Sequence, residues 1–238
     1  MKILLIDDDK EIVKLLKLSL EAEFLVIDTA LNGEKGCFLA KTNSYDLIIL
    51  DYVMPKQNGL EVCQELRKEN INTPILMLTV KADMPTKSEM FKAGIDDFLT
   101  KPFIFEELFL RVKALGKRKA NIKEETFKLD DLILNNQTHE VKRGKKSIYL
   151  TRKEFCLLCY FLENPNRVLS RALILENVWD INADPFSNTI ESHILNLRRK
   201  IEIKDSTKLI HTVPGRGYKL SLKAYWSKNF FWAISSGK

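Results

Sequence analysis

The sequence predicts a doubly wound α/β domain with a five-stranded parallel sheet, followed by a smaller α+β domain. Five short apolar segments alternate with helical patterns over residues 1–116, as expected for a parallel sheet covered on both faces. Apolar and polar residues alternate from Phe127 onward, which indicates antiparallel strands. At 238 residues, the chain is long enough for two hydrophobic cores.

The two halves of the chain carry opposite net charge. Residues 1–116 contain 15 Lys and Arg against 19 Asp and Glu, whereas residues 117–238 contain 23 against 13. The net charges are −4 and +10, which add up to the +6 of the whole chain. An acidic half joined to a basic half suggests two roles, with a polyanion as the partner of the basic half. Solvated charge on two ordinary surfaces is the alternative explanation.

Composition limits where the protein is expected to work. Hydrophobic residues make up 45% and charged residues 29% of the chain, as in a globular protein. The first apolar segment runs directly into three aspartates, unlike a secretory signal, and no apolar run reaches the ~20 residues of a membrane span. The four cysteines lie in apolar helical contexts, as expected for reduced thiols. We therefore predict a cytoplasmic protein without membrane insertion.

The first elements follow from the start of the chain. Lys2–Ile6 is an apolar run, and Asp9 is a suitable cap for a helix that begins near Glu11. The second strand is predicted at Phe24–Ile27, and Asn32 opens a short second helix.

The middle of the domain is built around Leu47–Asp51. Four apolar residues in succession, flanked by turn-forming residues, indicate a strand buried on both faces. A Pro/Asn/Gly turn then leads into a helix at Leu60–Lys68. The same alternation continues to residue 115. We predict strands at Pro74–Thr79 and Phe98–Lys101, and helices at Ser88–Ala93 and Phe103–Leu115.

Polar side chains stand where four of the predicted strands end. Asp7 and Asp8 follow the first strand, Asp51 the third, Thr79 the fourth and Lys101 the fifth. Open α/β sheets place their ligand sites at this edge. Each residue alone has an ordinary explanation as a helix cap, a strand end or part of a loop. Their coincidence at one edge indicates a functional site.

The chemistry of this edge points to phosphoryl transfer. Converging carboxylates repel one another, and Mg²⁺ relieves the repulsion by binding carboxylates, a carbonyl group and waters. A hydroxyl and an ammonium group beside the ion complete a pocket for a tetrahedral anion. Asp51 is therefore predicted to accept a phosphoryl group and form an aspartyl phosphate.

Residues 1–116 resemble the receiver domain of bacterial two-component response regulators, which has a flavodoxin-like fold. The matching segments are Ile6-Asp7-Asp8-Asp9, Leu50-Asp51-Tyr52-Val53-Met54-Pro55 with Gly59, Leu78-Thr79, and Asp96-Asp97-Phe98-Leu99-Thr100-Lys101-Pro102-Phe103. The resemblance implies that Asp51 is the phosphoacceptor. It also implies that Asp8, Asp51 and the carbonyl group of Val53 bind Mg²⁺, with Asp7 acting through a water.

The same resemblance implies a switch and a dimer. Thr79 and Lys101 would contact the phosphoryl group, the Lys101–Pro102 peptide bond would be cis, and Phe98 would be the aromatic switch. Asp96, Asp97 and Arg111 would form ion pairs between two subunits, although exposed pairs within one chain are the alternative. Two positions depart from the family. Val80 replaces the usual alanine and narrows access to the site, and Phe98 lacks the hydroxyl group of the common tyrosine.

The second half has the pattern of a small α+β domain over residues 127–222. Residues 117–126 are charged and lack apolar periodicity, which indicates a linker. Thr151 and Glu154 form a capping box at the start of a helix. The other predicted elements are an antiparallel sheet over Phe127–Leu150, a short helix from Ser170 to about Trp179, a longer helix from Ser187 to about Lys204, and a closing hairpin over Leu209–Leu220.

The longer helix has one apolar stripe and a polar, cationic outer face. The stripe contains Ile190, Ile194, Leu197 and Ile201, and the outer face contains Thr189, Ser192, His193, Asn196, Arg199 and Lys200. Such a helix fits the major groove of double-stranded DNA. The hairpin carries Arg216 between two glycines, which suits the DNA backbone or the minor groove. A solvated face is the alternative explanation for each feature alone.

Three segments resemble the winged helix-turn-helix effector domain of OmpR/PhoB-type regulators. They are Leu150-Thr151-Arg152-Lys153-Glu154-Phe155, Arg198-Arg199-Lys200 and Thr212-Val213-Pro214-Gly215-Arg216-Gly217-Tyr218. The resemblance implies that Thr189 binds a DNA phosphate, that Arg198 and Lys200 flank the backbone, and that four residues face the groove. These four are Ser192, His193, Asn196 and Arg199. Pro214 departs from the DNA-contacting arginine of some members, so Arg216 is expected to replace it. The loop from Trp179 to Phe186 matches the segment that contacts RNA polymerase in members of this family.

We therefore predict a DNA-binding transcription regulator, not an enzyme, that a sensor histidine kinase phosphorylates at Asp51 and that dimerises through its receiver. A regulator that acts without phosphorylation is one alternative, supported by Val80. A magnesium-dependent phosphohydrolase is another. Asp7 and Asp9 fit the carboxylates of the haloacid-dehalogenase pattern, but Glu11 stands where threonine or valine is needed. The aromatic tail at residues 223–238 receives no assigned role.

Overall fold

The computed structural model describes residues 1–80, 84–119, 126–184, 187–202 and 207–222. The chain forms two compact units, Met1–Lys123 and Glu124–Lys238. Within the described ranges, no helix is long and apolar enough to cross a membrane. Most of the predicted linker and the whole aromatic tail lie outside these ranges.

Where the structure describes the first unit, five strands alternate with five helices. The strands are β1 (Lys2–Ile6), β2 (Val26–Ala30), β3 (Leu47–Asp51), β4 (Ile75–Thr79) and β5 (Asp97–Thr100). The helices are α1 (Lys10–Ala22), α2 (Gly33–Thr42), α3 (Gly59–Lys68), α4 (Met84–Ala93) and α5 (Phe105–Lys119). The strands form one parallel sheet in the order β2-β1-β3-β4-β5, which confirms the predicted doubly wound fold.

Both faces of this sheet are buried because side chains alternate along each strand. Every residue of β1, β3 and β4 is buried. Ile3 and Leu5 of β1 pack into a core that includes residues of α1 and α5. Leu4 and Ile6 pack into a second core with residues of α2, α3 and α4. The functional edge is therefore held between two apolar layers.

Side-chain caps fix the starts of the helices near this edge. The carboxylate of Asp9 accepts from the N–H groups of Glu11 and Ile12 and caps α1, as predicted. Asn32 caps α2, and Asn58 forms a capping box with Glu61 at the start of α3.

Three predicted boundaries were wrong by several residues. Strand β2 begins at Val26 because Phe24 adopts a left-handed conformation, with φ of 61°, just after α1 ends. Helix α4 begins at Met84 and not at Ser88. Its second residue is Pro85, and a proline in the first turn of a helix breaks no internal hydrogen bond. Helix α5 continues to Lys119, and Gly116 lies inside it, against Met1.

The described residues of the second unit form two small antiparallel sheets and three helices. Strands β6 (Thr126–Leu129), β7 (Leu132–Asn135), β8 (Val141–Arg143) and β9 (Lys146–Ile148) form the first sheet in chain order. The remaining elements are α6 (Arg152–Glu163), β10 (Val168–Leu169), α7 (Arg171–Val178), α8 (Thr189–Ile201), β11 (Ile210–Val213) and β12 (Gly217–Leu220). Helix α6 begins at the predicted capping box, and Ser170 caps α7.

The closing hairpin belongs to a three-stranded sheet with the order β10-β12-β11. Strand β10 was not predicted, because two residues carry no periodicity. Its pairing explains Gly217, which has a φ of 127° and lies so close to the carbonyl group of Leu169 that a Cβ atom would collide with it.

Helix α8 buries the predicted stripe. Ile190, Ile194, Leu197 and Ile201 are all buried, and they hold the helix in the core of the unit. The helix begins at Thr189 and ends at Ile201, which is shorter than the prediction of Ser187 to about Lys204.

Candidate functional site

Three aspartates meet at the carboxyl edge of the parallel sheet. Asp7 and Asp8 follow β1, and Asp51 ends β3, its neighbour in the sheet. One carboxylate oxygen of each lies within 4.8 Å of the other two. Asp7 and Asp51 are 1% and 5% exposed, whereas Asp8 is exposed. We call these three residues the acidic pocket.

Lys101 spans the two buried carboxylates of the acidic pocket. Its Nζ donates to Oδ1 of Asp51 at 2.6 Å and to Oδ2 of Asp7 at 2.9 Å. Backbone N–H groups hold the other oxygens: Val53 donates to Oδ2 of Asp51 at 3.0 Å, and Asp9 donates to Oδ1 of Asp7 at 2.9 Å. Every oxygen of these two carboxylates therefore has a fixed donor, and the sequence-predicted edge does assemble.

The loop after Asp51 requires a glycine. The N–H of Gly59 donates to the carbonyl of Tyr52 at 2.9 Å, which closes the loop. A Cβ atom at Gly59 would collide with the carbonyl oxygen of Asp51. Any larger residue would push the loop away from the acidic pocket.

Burial and neighbouring charges act in opposite directions on the acidic pocket. Burial raises the pKa of Asp51 above its ordinary value, and the charge of Asp7 adds to it, while Lys101 counteracts it. Burial acts to lower the pKa of Lys101, but its hydrogen bonds to Asp51 and Asp7 outweigh burial, and the pKa is raised. Lys101 therefore remains an ammonium group at neutral pH.

The acidic pocket has the donor set of a hard cation site. One ammonium group faces three carboxyl groups, so negative charge is in excess. Carboxylate oxygens are the ligands that Mg²⁺ prefers. Val53, the predicted carbonyl ligand, is 54% exposed and is tied to Asp51 through its N–H. The residues present therefore fit a divalent cation.

Thr79 lies on β4, the strand next to that of Asp51, and Phe98 lies on β5, the strand beyond it. Thr79 ends β4 and is 1% exposed, and its carbonyl group accepts from the N–H of Lys101 at 2.7 Å. The Lys101–Pro102 peptide bond is cis. Phe98 is half-buried on β5, and its ring meets the ring of Phe91 on α4 edge to face, with centroids 5.9 Å apart. Val80, which follows Thr79, is 64% exposed.

The three residues predicted at a dimer interface all have partners within the chain. Arg111 lies 2.8 Å from Asp97 and 2.8 Å from Glu107. Asp96 lies 3.1 Å from Arg67 of α3 and accepts from the N–H of Ile75 at 2.9 Å. The role of Arg67 was missed, because helical spacing does not reveal which loop a side chain reaches.

In the second unit, helix α8 presents four side chains to solvent. They are Ser192, Leu195, Asn196 and Arg199, all of which are exposed. At about 100° of rotation per residue, they lie opposite the buried stripe. Ser192, Asn196 and Arg199 were predicted, whereas Leu195 was not. We call these four residues the outer face of α8.

Ser192 donates its hydroxyl to the carbonyl of Asn188 at 2.9 Å, and the less exposed residues predicted to contact DNA on α8 have partners within the protein as well. Nζ of Lys200 lies 2.6 Å from Glu154, and Nδ1 of His193 lies 2.7 Å from the carbonyl of Thr189. His193 also meets the ring of Trp179 edge to face. Arg198 donates to β11, at 3.2 Å to the carbonyl of Ile210 and at 2.9 Å to Oγ1 of Thr212.

The hairpin between β11 and β12 places Arg216 at an exposed tip. Gly215 has a φ of 68°, and Pro214 is also exposed. In the predicted polymerase-facing loop, Trp179 is 6% exposed and Ile181 is 43% exposed, while Phe186 lies outside the described residues.

Comparison with known proteins agrees with this architecture. The family of the response regulator receiver domain matches residues 3–113, and the family of the C-terminal domain of transcriptional regulatory proteins matches residues 144–220. Two relatives match almost end to end. The transcriptional regulatory protein CusR of Escherichia coli (strain K12) is 41% identical over 93% of this chain and 98% of its own length. The response regulator MprA of Mycobacterium avium (strain 104) is 39% identical over 92% and 98%.

A solved structure is also similar to this chain. The crystal structure of DrrB, an OmpR/PhoB homologue of Thermotoga maritima, is 31% identical to this chain, with a TM-score of 0.45 over 92% of this chain and 98% of that one.

The fold and the two matched families define a receiver domain joined to a DNA-binding domain. The chain belongs to the OmpR/PhoB-type two-component response regulators. It is a transcription regulator and not an enzyme, so the phosphohydrolase alternative is wrong. Its two domains imply a histidine kinase as one partner and DNA as the other.

Proposed function

We propose that a sensor histidine kinase transfers a phosphoryl group to Asp51. The observation that carries this proposal is the pair of hydrogen bonds from Nζ of Lys101, at 2.6 Å to Asp51 and 2.9 Å to Asp7. A carboxylate oxygen of Asp51 attacks phosphorus, the phosphorus–nitrogen bond to the kinase histidine breaks, and the electron pair returns to the imidazole. The ammonium group of Lys101 stabilises the negative charge on the transferred oxygens.

Mg²⁺ is the proposed cation of the acidic pocket. Asp8, Asp51 and the carbonyl of Val53 would hold it, with Asp7 acting through a water. When bound, the ion supplies neutralising charge for the phosphoryl oxygens. The protein contributes orientation, because Lys101 and the N–H of Val53 each fix one oxygen of Asp51. A carboxylate held in this way needs little reorganisation to react.

The proposed switch starts from the added charge of about −1.5 to −2 on Asp51. Lys101 then exchanges its bond to the carboxylate for one to the phosphoryl group, and the hydroxyl of Thr79 turns toward the same group. This change at Thr79 opens space for the ring of Phe98, which turns inward and leaves its edge contact with Phe91.

The proposed dimer forms by exchange of ion pairs. Arg111 is bound to Asp97 and Glu107 of its own chain at 2.8 Å each. In the dimer, Arg111 of one subunit pairs with Asp97 of the other, and Asp96 lies nearby. These ion pairs between subunits replace similar ion pairs within each chain. Exposed pairs contribute only ~0.2–1 kcal/mol each. A small change at Phe98 is therefore enough to shift the balance toward the dimer.

The proposed DNA interface is the outer face of α8 in the major groove. Ser192, Asn196 and Arg199 are exposed there and contact base edges. Thr189 binds a phosphate at the start of the helix, and His193 lies at the border of the groove. Arg198 and Lys200 flank the backbone, but their intramolecular bonds make them mainly supports for the helix. Arg216 reaches the neighbouring backbone or minor groove from the hairpin.

Dimerisation and DNA binding are coupled through effective concentration. In a receiver dimer, the DNA-binding units of the two chains bind repeated half-sites together. The affinity for DNA therefore rises without any new contact between protein and DNA. RNA polymerase is the proposed partner of the loop from Trp179 to Phe186, and the cytoplasm is the proposed location.

The test is selection of binding sites from random double-stranded DNA, with Mg²⁺ and a small phosphoryl donor. We expect phosphorylated wild type to enrich a pair of repeated half-sites and the Asp51→Ala variant to enrich them weakly or not at all. Equal enrichment by both proteins would contradict the proposal and establish the alternative of a regulator that acts without phosphorylation.

A further inference from the structure

We infer that Leu195 is a specificity-determining residue that contacts the C5-methyl group of a thymine. This inference rests on the proposed binding of α8 in the major groove and adds to it a residue for which the sequence predicted no role. Leu195 is 48% exposed, although the other aliphatic residues at Ile190, Ile194, Leu197 and Ile201 are at most 2% exposed.

The position of Leu195 places it inside the outer face of α8. At about 100° per residue, Ser192 and Arg199 lie almost opposite the buried stripe, and Leu195 and Asn196 lie about 50° to either side. Leu195 is therefore the one apolar member of a four-residue surface whose other members are hydrogen-bonding side chains.

Intramolecular contacts define both borders of this surface. On the side of Leu195, Glu191 is paired with Arg171 at 3.2 Å, and Arg198 is bound to β11. On the side of Asn196, Lys200 is paired with Glu154 at 2.6 Å. These contacts fix the rotation of α8 about its axis, so the outer face has one orientation toward a groove.

The chemistry of the groove identifies the group that Leu195 would contact. Each base edge in the major groove presents hydrogen-bond donors or acceptors, and thymine adds a C5-methyl group. A leucine side chain offers no hydrogen bond, so a methyl group is the base feature with which it gains contact. Cytosine lacks the C5-methyl group at the same position, so the leucine loses this contact. Leu195 thus favours thymine over cytosine.

The experiment replaces single thymines by uracil, which removes only the methyl group. The full-length phosphorylated protein is first used to select its preferred DNA, and each thymine of that site is then exchanged in turn. At one position per half-site, we expect wild type to lose about fourfold in affinity, the value of one buried methyl group. The Leu195→Ala variant is expected to bind the thymine and uracil sites equally. Leu222→Ala is the matched control, because Leu222 is 47% exposed and lies after the end of β12, away from α8 in the sequence.

The outcomes separate this inference from the proposed function. Two results would overturn the role of Leu195 alone. In the first, wild type binds selectively but uracil has no effect on its affinity. In the second, uracil weakens the binding of wild type and of Leu195→Ala equally. Absence of sequence-selective binding, or binding unaffected by Arg199→Ala, would overturn the proposed interface and this inference with it. A uracil effect that disappears in Leu195→Ala but persists in Leu222→Ala supports both.

Discussion

Lys200 lies on helix α8 within 2.6 Å of Oε2 of Glu154, a carboxylate whose side chain is 4% exposed. The same carboxylate oxygen accepts from the N–H of Thr151 at 2.7 Å and completes the capping box of α6. One buried carboxylate therefore joins the start of α6 to the end of α8. The contact fixes the position of α8 within the second unit.

This contact predicts that Lys200 contributes more to stability than to DNA affinity. Lys200→Met leaves the buried carboxylate without its cation, and we expect a loss of roughly 1–3 kcal/mol in the free energy of unfolding. In the Glu154→Gln background, where the cap is retained without the charge, the same substitution should cost less than about 1 kcal/mol. Urea unfolding of the four proteins measures the difference. A reduced salt dependence of DNA binding without any loss of stability would instead identify Lys200 as a phosphate contact.

The same pair predicts a pH dependence. Burial acts to raise the pKa of Glu154, but the hydrogen bonds from Lys200 and Thr151 outweigh it, and the pKa is lowered. A carboxyl group with a lowered folded-state pKa contributes stability above its unfolded pKa of about 4.3, and this is lost as the pH falls through the folded value. Wild type should therefore lose stability on acidification below pH ~4.3 more steeply than Glu154→Gln. Parallel curves for the two proteins would contradict this assignment.

Arg199 is predicted to read bases. It is exposed at the centre of the outer face of α8. We expect Arg199→Ala to cost ~1–3 kcal/mol on the preferred site and to relax the base preference at one position. Binding titrations on the preferred site and on single-base variants measure the effect. An equal loss on every sequence would show that Arg199 binds a phosphate.

The contact between Phe91 and Phe98 is predicted to favour the unphosphorylated monomer. An aromatic pair of this geometry contributes ~0.5–1.5 kcal/mol beyond its buried area. Phe91→Ala removes the contact that Phe98 must leave in each of the two protomers, so the dissociation constant of the unphosphorylated dimer should fall by roughly 5- to 150-fold. Sedimentation equilibrium measures the dissociation constant. Phe38→Ala is the control, because Phe38 is 63% exposed on α2. An unchanged dissociation constant in Phe91→Ala would remove Phe91 from the switch.

Asp96 is predicted to stabilise its own chain, whether or not it also contributes to a dimer interface. Its carboxylate binds Arg67 and the N–H of Ile75, and Arg67 also donates to the carbonyl groups of Gly94, Ile71 and Thr73. We expect Asp96→Ala to lower the free energy of unfolding by roughly 1–3 kcal/mol. The loss should be smaller in an Arg67→Met background, since the two residues share one interaction. Full stability with a weakened dimer would place Asp96 at the interface alone.

The sequence allowed prediction of the sheet and of its functional edge for a physical reason. In a parallel sheet all strands end on one side, so Asp51, Thr79 and Lys101 converge once the strands are recognised. Apolar periodicity also indicated the buried stripe of α8 through Ile190 and Ile194. Apolar periodicity assigns a residue to one face of a helix or strand. It does not show which other element packs against that face.

The missed features depend on such neighbours. The bond between Lys200 and Glu154 joins residues 46 positions apart, and the bond between Arg67 and Asp96 joins residues 29 positions apart. Each of these two bonds joins different structural elements, and the sequence does not show how such elements are oriented toward each other. Leu195 was missed for a related reason, since an isolated leucine on a helix is more often part of the core than of the outer face.

We propose that a phosphoryl group on Asp51 controls the association of two chains. The most direct test of this proposal is the intact mass and the oligomeric state of wild type and of Asp51→Ala, each with Mg²⁺ and a small phosphoryl donor. We predict a single phosphate adduct and a dimer for wild type only, with both lost when Mg²⁺ is chelated. A dimer that forms equally in Asp51→Ala would contradict this control by phosphorylation. A wild-type protein that takes no phosphate yet binds DNA selectively would contradict it as well.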